Sequence, residues 1–579
     1  MLSLLAAIPC STQADAPEPP VGNSAALKQP PVSASKAVTE AQLRSLWSLK
    51  RARQAPFDVE IVSTRTADGY RTDEMYLTSR RTPDGPDRIF CTYSRPENPD
   101  PRAPAYLDLT GGRDVAGVEW LARRYRGAVL DIEWRSPDLK HHTKWARPAA
   151  SGIFGMAEPI DDNFNTMFVT GIRRAIDFLE SQPGIDGTRI ALGGGSMGGW
   201  YSLLVAGVDR RVTCVYDVYA AGGGVANFTA PLNAEQRRIW TAAFDPLTYA
   251  RRTRASTLLY LGTNDFFFSL GNAMMEQAGL AGEKRMTIIP NWNHNFGPFG
   301  RKAPEVDKAW IDHCFHGEPA FPAVTDPKPR GDAYSWRADG PFPIKRSVLC
   351  WSPGGAVWTA RYWVEIPATQ HGHEWTASVP QRFAGLGAML FATAVDEKER
   401  VVSSRLVART GADPLTSAGP LWPGDAAWDV ESGAAAWRLP GPARSSAFWS
   451  QEVTATGARG IQVTPTDAAG KIALLTNSVS LASGRAAQYA GFRLLVDGHG
   501  ASGELAVSLE RRSGDATGIA YTKRVPYGKG ETEIRIPWAE FKGPDGEPTL
   551  PYPFDGLRLD GDRAKGTLLT IEAVELYRR

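Results

Sequence analysis

The sequence predicts an α/β unit built on a mainly parallel sheet, followed by two all-β units. Its 579 residues exceed what one compact core normally holds. Between about residues 105 and 317, short apolar strands alternate with longer amphipathic segments, which is typical of a parallel sheet covered by helices on both faces. Beyond about residue 323 the alternation stops, and short strands follow one another at the spacing of a β-sandwich.

The composition excludes several classes of protein. Lys and Arg number 65 against 63 Asp and Glu, a formal net charge of +2, and the two signs are interspersed. This balance argues against nucleic acid or an anionic membrane surface as the main partner. No apolar run approaches the roughly 18 to 20 residues that cross a bilayer, so we predict no membrane span.

Residues 1–38 are predicted to be the remnant of an export signal and a disordered leader. The stretch Leu2–Ile8 is apolar, and Ala14-Asp15-Ala16 is a candidate cleavage site, although a basic leading segment is missing. We therefore expect a secreted or periplasmic protein. The later cysteines are too scattered for a zinc site, and buried free thiols are favoured over one or two disulfides. They are Cys91, Cys214, Cys314 and Cys350.

The α/β unit is assigned to residues 39–325. A leading helix is predicted from Thr39 to Arg53, where leucines and a tryptophan recur at helical spacing. Three β-like runs then form an antiparallel opening to the sheet. The runs start at Phe57, Met75 and Arg88, and the later strands start at Ala105, Ala128, Arg189, Val212, Thr257 and Met286. The clearest helix starts at Asn165, and a helix from Val306 to His316 closes the unit.

Two β units follow. Residues 326–410 carry short strands typical of an immunoglobulin-like or fibronectin-like domain. A junction rich in Gly and Pro leads to residues 411–579, where several strands alternate apolar and polar positions. We predict that this last unit is a jelly-roll β-sandwich.

The sharpest chemical signal is the pentapeptide Gly194-Gly195-Ser196-Met197-Gly198. It follows a predicted strand and precedes a predicted helix, and in that context G-x-S-x-G forms a tight turn that projects the serine hydroxyl above the sheet. By itself the pentapeptide is as easily a chance match in a Gly-rich chain. With the strand and helix around it, Ser196 is predicted to be a nucleophile, and the Met197 amide to stabilise an oxyanion. Gly112 is predicted to supply the second amide, although its Gly pair is also compatible with a simple turn.

A serine nucleophile needs a base and a group that orients the base. Asp265 follows the predicted strand at Thr257, and His294 follows the predicted strand at Met286. Because parallel strands end at one edge of the sheet, both should converge on Ser196. Asp217 is kept as an alternative source of the carboxylate. The pairs His141-His142 and His371-Gly372-His373 lack further ligands at convincing spacing, so we predict no metal site.

These residues resemble the α/β-hydrolase superfamily. The segment RAIDFLESQPGIDGTRIALGGGSMGG is similar to the acetyl xylan esterase, dienelactone hydrolase and prolyl oligopeptidase-like branches. The resemblance covers about residues 103–317 and implies Ser196, Asp265 and His294 as a triad without metal or organic cofactor. Only about one hundred residues precede the core, too few for the oligopeptidase propeller, and dienelactone hydrolases commonly use Cys where this chain has Ser196.

The sequence also offers candidates for the substrate pocket. Phe266, Trp292 and Gly111 flank the predicted triad and are candidates to contact substrate, with core packing as an equally good explanation for the aromatic residues. The last unit resembles galactose-binding-like jelly-rolls, and some of its region's tryptophans are candidates to stack on sugar rings, although most such residues are core. The candidates are Trp422, Trp428, Trp437, Trp449 and Trp538.

The sequence therefore predicts a serine esterase acting on a carbohydrate ester, such as acetylated or feruloylated polysaccharide. The substrate rests on the appended β units, which is an analogy between folds. A serine peptidase and a glycan-binding protein with an inactive hydrolase core remain alternatives.

Overall fold

The chain forms three regions of regular structure in a computed structural model. The structure describes residues 45–99, 101–134, 141–147, 149, 151–157, 159–223, 232–265, 267–294, 297, 301–353, 361–380, 383, 385–411, 437, 451–456, 460–476, 489–512, 518–547, 554 and 556–578. The predicted leader, residues 1–38, lies outside them. No helix among these residues has the length and apolar character needed to cross a bilayer.

The first region is organised around a nine-stranded sheet with the order β1-β2-β3-β5-β4-β6-β7-β8-β9. Its first three strands and the β3–β5 contact are antiparallel, and the remaining contacts are parallel. This is the α/β-hydrolase fold with an antiparallel opening, so the predicted fold class is confirmed. The strands are β1 Glu60–Ala67, β2 Tyr70–Thr82, β3 Gly85–Pro96, β4 Ala103–Asp108, β5 Ala128–Ile132, β6 Ile185–Gly195, β7 Val212–Val218, β8 Ser256–Gly262 and β9 Lys284–Ile289.

Helices cover the sheet. The strands at its centre are buried along their whole length, as β4 and β5 are, because helices pack on both faces. The helices are α1 Val115–Tyr125, α2 Phe164–Ser181, α3 Met197–Val208, α4 Ala234–Phe244, α5 Pro246–Tyr249, α6 Leu270–Gly279 and α7 Asp307–Phe315, with 3-10 turns at Ala52–Gln54, Ile160–Asp162 and Ala250–Arg252.

The described residues differ from the leading helix that the sequence predicts. Helical geometry ends at Leu46, and a separate 3-10 turn covers Ala52–Gln54. Trp47 lies between them, where its Nε1 donates to the Tyr249 hydroxyl at 3.0 Å and its ring packs in the main core. Burial of Trp47 against a distant helix therefore decides the path of the chain, which local helical spacing could not indicate.

The second region consists of two five-stranded antiparallel sheets that share one apolar core. It begins at Ala323, which pairs with Asp339, slightly before the predicted boundary. One sheet contains β10 Ala323–Val324, β11 Lys328–Arg330, β12 Ala333–Asp339, β15 Thr369–His371 and β16 Glu374–Ser378. The other contains β13 Ile344–Pro353, β14 Val364–Pro367, β17 Ala388–Asp396, β18 Val401–Ser403 and β19 Val407–Arg409.

The second region packs directly on the edge of the hydrolase sheet. Thr287 Oγ1 on β9 donates to the Val401 carbonyl at 2.6 Å, and the Ile288 amide donates to Ser403 Oγ at 3.0 Å. Side chains of this region also belong to the main hydrolase core. The edge strand β9 is therefore covered rather than left open.

The third region also has two antiparallel sheets around one core. Trp437 and Trp538 belong to that core and are almost fully buried, which corrects their prediction as sugar-stacking residues. Trp422, Trp428 and Trp449 lie outside the described residues. The strands are β20 Gln451–Thr456, β21 Gly460–Pro465, β22 Lys471–Thr476, β23 Tyr489–Asp497, β24 Gly503–Arg512, β25 Gly518–Tyr527, β26 Glu531–Pro537, β27 Gly556–Asp562 and β28 Leu569–Arg578, with a 3-10 turn at Trp538–Glu540.

Candidate active site

Ser196 lies at the sharp turn between β6 and α3. Its backbone has φ 58° and ψ −123°, a conformation that residues with a side chain rarely adopt. The turn requires small neighbours, because a Cβ added at Gly198 would lie 2.3 Å from the Leu109 carbonyl oxygen. The strain holds the Ser196 hydroxyl at the end of the sheet, beside the first turn of α3.

Asp265 follows β8 and is completely buried. Its Oδ1 accepts hydrogen bonds from the amides of Phe267 at 2.8 Å and Phe268 at 2.9 Å. Its Oδ2 lies 2.8 Å from His294 Nδ1. The two amides hold the carboxylate in one orientation, so that its second oxygen faces the imidazole.

His294 follows β9 and joins Asp265 to Ser196. Its Nε2 lies 2.9 Å from Ser196 Oγ. A carboxylate can only accept at Nδ1, so the neutral imidazole carries its proton there and Nε2 accepts from the Ser196 hydroxyl. The structure thus brings together the three residues predicted as a triad.

Aromatic rings enclose the imidazole of His294. The ring centroid of Phe267 lies 5.0 Å from that of His294, Tyr219 lies at 5.8 Å and Phe268 at 6.1 Å. His294 is only 5% exposed as a result. Water is largely excluded from the imidazole, which strengthens its hydrogen bonds to Asp265 and Ser196.

The loop after β4 lies against the start of α3. Gly111 and Gly112 both have positive φ, 96° and 101°, so the backbone turns sharply there. Buried Asp131 accepts a hydrogen bond from the Arg113 amide at 3.0 Å. The residue after Gly112 is thereby tied to β5, which holds the loop that carries the predicted second oxyanion donor.

Met197 opens α3, where backbone N–H groups have no acceptor within the helix. The helix dipole and these amides favour negative charge next to Ser196. The predicted role of the Met197 amide is compatible with this position.

Asp217 does not contact His294. Its carboxyl lies below the start of α3, because a Cβ added at Gly199 would come 1.9 Å from Asp217 Oδ1. Burial raises the pKa of Asp217 well above its usual range, and the charges of Glu276 and Asp265 raise it further. Of the two carboxyls considered, only Asp265 is hydrogen-bonded to the histidine.

Two buried acidic residues, Glu276 and Asp245, contact the loop after β7. Glu276 Oε2 accepts from the Gly222 amide at 3.1 Å, and Asp245 accepts from the Gly223 amide at 2.9 Å. Burial, followed by the charge of Asp245, raises the pKa of Glu276 to about 8. At neutral pH Glu276 is therefore mainly protonated.

Three further residues are predicted from the sequence to contact substrate. Trp292 is only 8% exposed and packs in an apolar cluster below the histidine loop. Gly111 is half-buried. Phe266 lies outside the described residues.

The histidine and cysteine predictions concern residues away from this site. His141 stacks on Phe90. Within the described ranges, no three His, Cys, Asp or Glu side chains are grouped to hold a metal ion. Cys91, Cys214, Cys314 and Cys350 are free thiols, and the first, second and fourth are buried.

Asn264 and Asn291 are site residues that the sequence reasoning missed. Asn264 precedes Asp265, and Asn291 lies three residues before His294 with φ 59°. Both hydrogen-bond to the backbone of the second region. The signal available in the sequence was an Asn within three positions of the predicted acid and of the predicted histidine, but nothing there indicated what the side chains contact.

Comparisons with known proteins identify esterases. The acetyl esterase Axe7A of Xylanibacter ruminicola is 37% identical over 105 residues, 16% of this chain and 24% of that protein. The chain thus matches about a quarter of that relative's length. No family model matches the chain.

Similar solved structures include two further esterases. Acetyl xylan esterase 1 from Thermoanaerobacterium sp. is 15% identical with a TM-score of 0.38, and the match covers 48% of this chain and 99% of that one. The glucuronoyl esterase from Solibacter usitatus is 16% identical with a TM-score of 0.31, and the match covers 43% and 81% of the two chains.

Proposed function

We propose that this protein is a serine hydrolase that cleaves carboxylic esters through an acyl-enzyme. The observation that carries the proposal is the hydrogen-bonded row from Ser196 through His294 to Asp265, with the serine at a strained turn beside a helix N-terminus. Such a row converts a weak alcohol nucleophile into a reactive one.

In the first half of the reaction, Ser196 Oγ attacks the ester carbonyl carbon while its proton passes to His294 Nε2. Asp265 stabilises the imidazolium that forms, and the Met197 amide donates to the developing oxyanion. His294 then protonates the leaving alkoxide oxygen, and the ester C–O bond breaks. The acyl group remains on Ser196.

In the second half, a water molecule gives a proton to His294 Nε2 and attacks the acyl carbon. Collapse of the tetrahedral intermediate releases the carboxylic acid, and Ser196 recovers its proton from His294. Phe267, whose ring contacts that of His294, is proposed to border the space for the acyl group.

As substrate we propose an acetyl or feruloyl ester of a polysaccharide or oligosaccharide. The acetyl group is supported by the similarity to the acetyl esterase of Xylanibacter ruminicola. The carbohydrate is supported by the two appended β regions, through an analogy between folds. We also propose a secreted or periplasmic location, which rests on the apolar stretch Leu2–Ile8 and the small residues after it.

Labelling with a fluorophosphonate probe, followed by mapping of the modified residue, tests the mechanism. We expect modification of Ser196 and hydrolysis of p-nitrophenyl acetate, both abolished in Ser196→Ala. Acetylated and feruloylated glycans are then compared with a panel of aminoacyl amides. Faster cleavage of the amides would replace the esterase by a peptidase, and an unlabelled, inactive wild type that retains glycans would support a binding protein.

A further inference from the structure

We propose that Asn291 and Asn264 are positioning residues that fasten the loops of the catalytic histidine and acid to the second region. The inference rests on the proposed function, because it assigns a role in that reaction. It follows from hydrogen bonds that cross between two regions of the chain next to the triad.

The two catalytic loops are first joined to each other. The Thr263 amide donates to the Ile289 carbonyl at 3.0 Å, and the Asn264 amide donates to the Trp292 carbonyl at 2.9 Å. The Asn291 amide donates to Thr263 Oγ1 at 2.8 Å. Three hydrogen bonds therefore join the acid loop to the histidine loop.

Asn291 then binds the second region through both ends of its side-chain amide. Its Nδ2 donates to the Trp363 carbonyl at 2.7 Å, and its Oδ1 accepts from the Trp363 amide at 2.7 Å. These two hydrogen bonds have the pattern of the bonds between neighbouring β-strands. Asn291 and Trp363 are both buried. Asn tolerates the positive φ at this position better than most residues, so one residue supplies both the turn and the contact.

Two more contacts reach the same segment. Asn264 Nδ2 donates to the Arg361 carbonyl at 2.5 Å. Beyond the histidine, Arg301 forms an ion pair with Glu365 at 2.7 Å. The segment 361–365 is itself held by Trp363, whose ring lies 5.2 Å from that of Phe391 in the main core.

The physical consequence concerns geometry rather than substrate binding. Loops at the end of a sheet are among its more mobile parts, and a displacement of about 1 Å at reacting groups costs roughly a hundredfold in rate. The side chains of Asn291 and Asn264 hold the catalytic loops from the side of the second region. The Ser196 hydroxyl, where the substrate reacts, is bonded to Nε2 of the His294 ring. Loss of the contacts should therefore lower kcat and leave KM nearly unchanged.

The test compares Asn291→Gly with Ser403→Ala in the full chain. Gly keeps the positive φ and removes the side-chain amide that makes the two bonds to Trp363. Ser403→Ala removes the acceptor of the Ile288 amide, a contact between the same two regions that does not touch the catalytic loops. The measurements are kcat and KM for p-nitrophenyl acetate, the rate of fluorophosphonate labelling, and the NMR signal of the His294 Nδ1 proton.

We expect Asn291→Gly to lower kcat and the labelling rate about 10- to 100-fold, with KM within about twofold, and to broaden or remove the Nδ1 proton signal. Ser403→Ala should stay within about threefold of wild type in every kinetic value. A normal kcat in Asn291→Gly, or an equal loss in Ser403→Ala, overturns the proposal. If Asn291→Gly does not fold, Asn264→Ala should give the same pattern, and a normal kcat there overturns it.

The two proposals fail in different ways. A wild type that neither hydrolyses esters nor reacts with the fluorophosphonate removes the proposed function. The Nδ1 proton still reports on the positioning of His294 in that case. An unchanged signal in Asn291→Gly then refutes the positioning role, and a signal lost there but kept in Ser403→Ala supports it.

Discussion

Replacing Asp265 by Asn tests the role of the carboxylate in setting the tautomer of His294. The amides of Phe267 and Phe268 both donate to Oδ1, so the Asn side chain should keep its oxygen at that position. Its NH2 group then faces His294 Nδ1, where a carboxylate oxygen now lies at 2.8 Å. A donor at that point favours the tautomer with its proton on Nε2, which cannot accept the proton of Ser196.

The expected loss of kcat is large because His294 can no longer act as the base, although Asn has the same shape as Asp. The corresponding exchange in serine triads lowers kcat by roughly 10⁴-fold, which corresponds to about 5 kcal/mol of activation free energy. KM should remain within about threefold, since Asp265 is completely buried behind the imidazole. The assay is hydrolysis of p-nitrophenyl acetate, with the rate of fluorophosphonate labelling as a second measure.

Asp217→Asn is the matched control. Asp217 is buried and is not hydrogen-bonded to His294, burial raises its pKa well above its usual range, and Asn has nearly the same size. We expect kcat within about threefold of wild type. If Asp265→Asn keeps more than a tenth of the activity, or Asp217→Asn loses as much as Asp265→Asn, then Asp265 does not orient the histidine.

Two further predictions concern the buried acid and the turn at Ser196. The pKa of Glu276 rises from 4.5 to about 8 on folding, so the folded chain retains a proton that the unfolded chain releases, and stability falls as pH rises from about 4.5 to 8. Glu276→Gln, whose amide oxygen can still accept from the Gly222 amide, should remove roughly 3 to 5 kcal/mol of this pH-dependent loss of stability. The measurement is the difference in Tm between pH 5 and pH 8, which should be smaller in the variant. An unchanged difference would exclude Glu276 as the source of the pH dependence. Gly198→Ala should lower kcat at least about tenfold, because the new Cβ would meet the Leu109 carbonyl oxygen at 2.3 Å and push the loop after β4 away from α3. Gly195→Ala is its control, since a Cβ there meets no atom within 4 Å, and equal kcat values for the two variants would contradict this explanation.

Much of the hydrolase region could be predicted because its signals are local. Strands such as β5 and β8 are apolar along most of their length, and a sheet covered on both faces buries such a run. The turn at Ser196 depends on small residues within two positions of the serine. Asp265 and His294 each follow such a strand, and the direction of parallel strands brings their ends to the same edge as Ser196.

Contacts between distant segments were decided only by the tertiary structure. Asn291 and Trp363 are far apart in the sequence, and neither residue type indicates a partner. The Arg113 amide donates to Asp131 directly after two residues with positive φ, and Trp538 is buried because two sheets close over it. The order of apolar and small residues along the chain therefore determined the sheet and the row of catalytic candidates, since those depend on neighbours. Which side chains hold that row in place depends on how separate regions pack, and that is a property of the folded molecule alone.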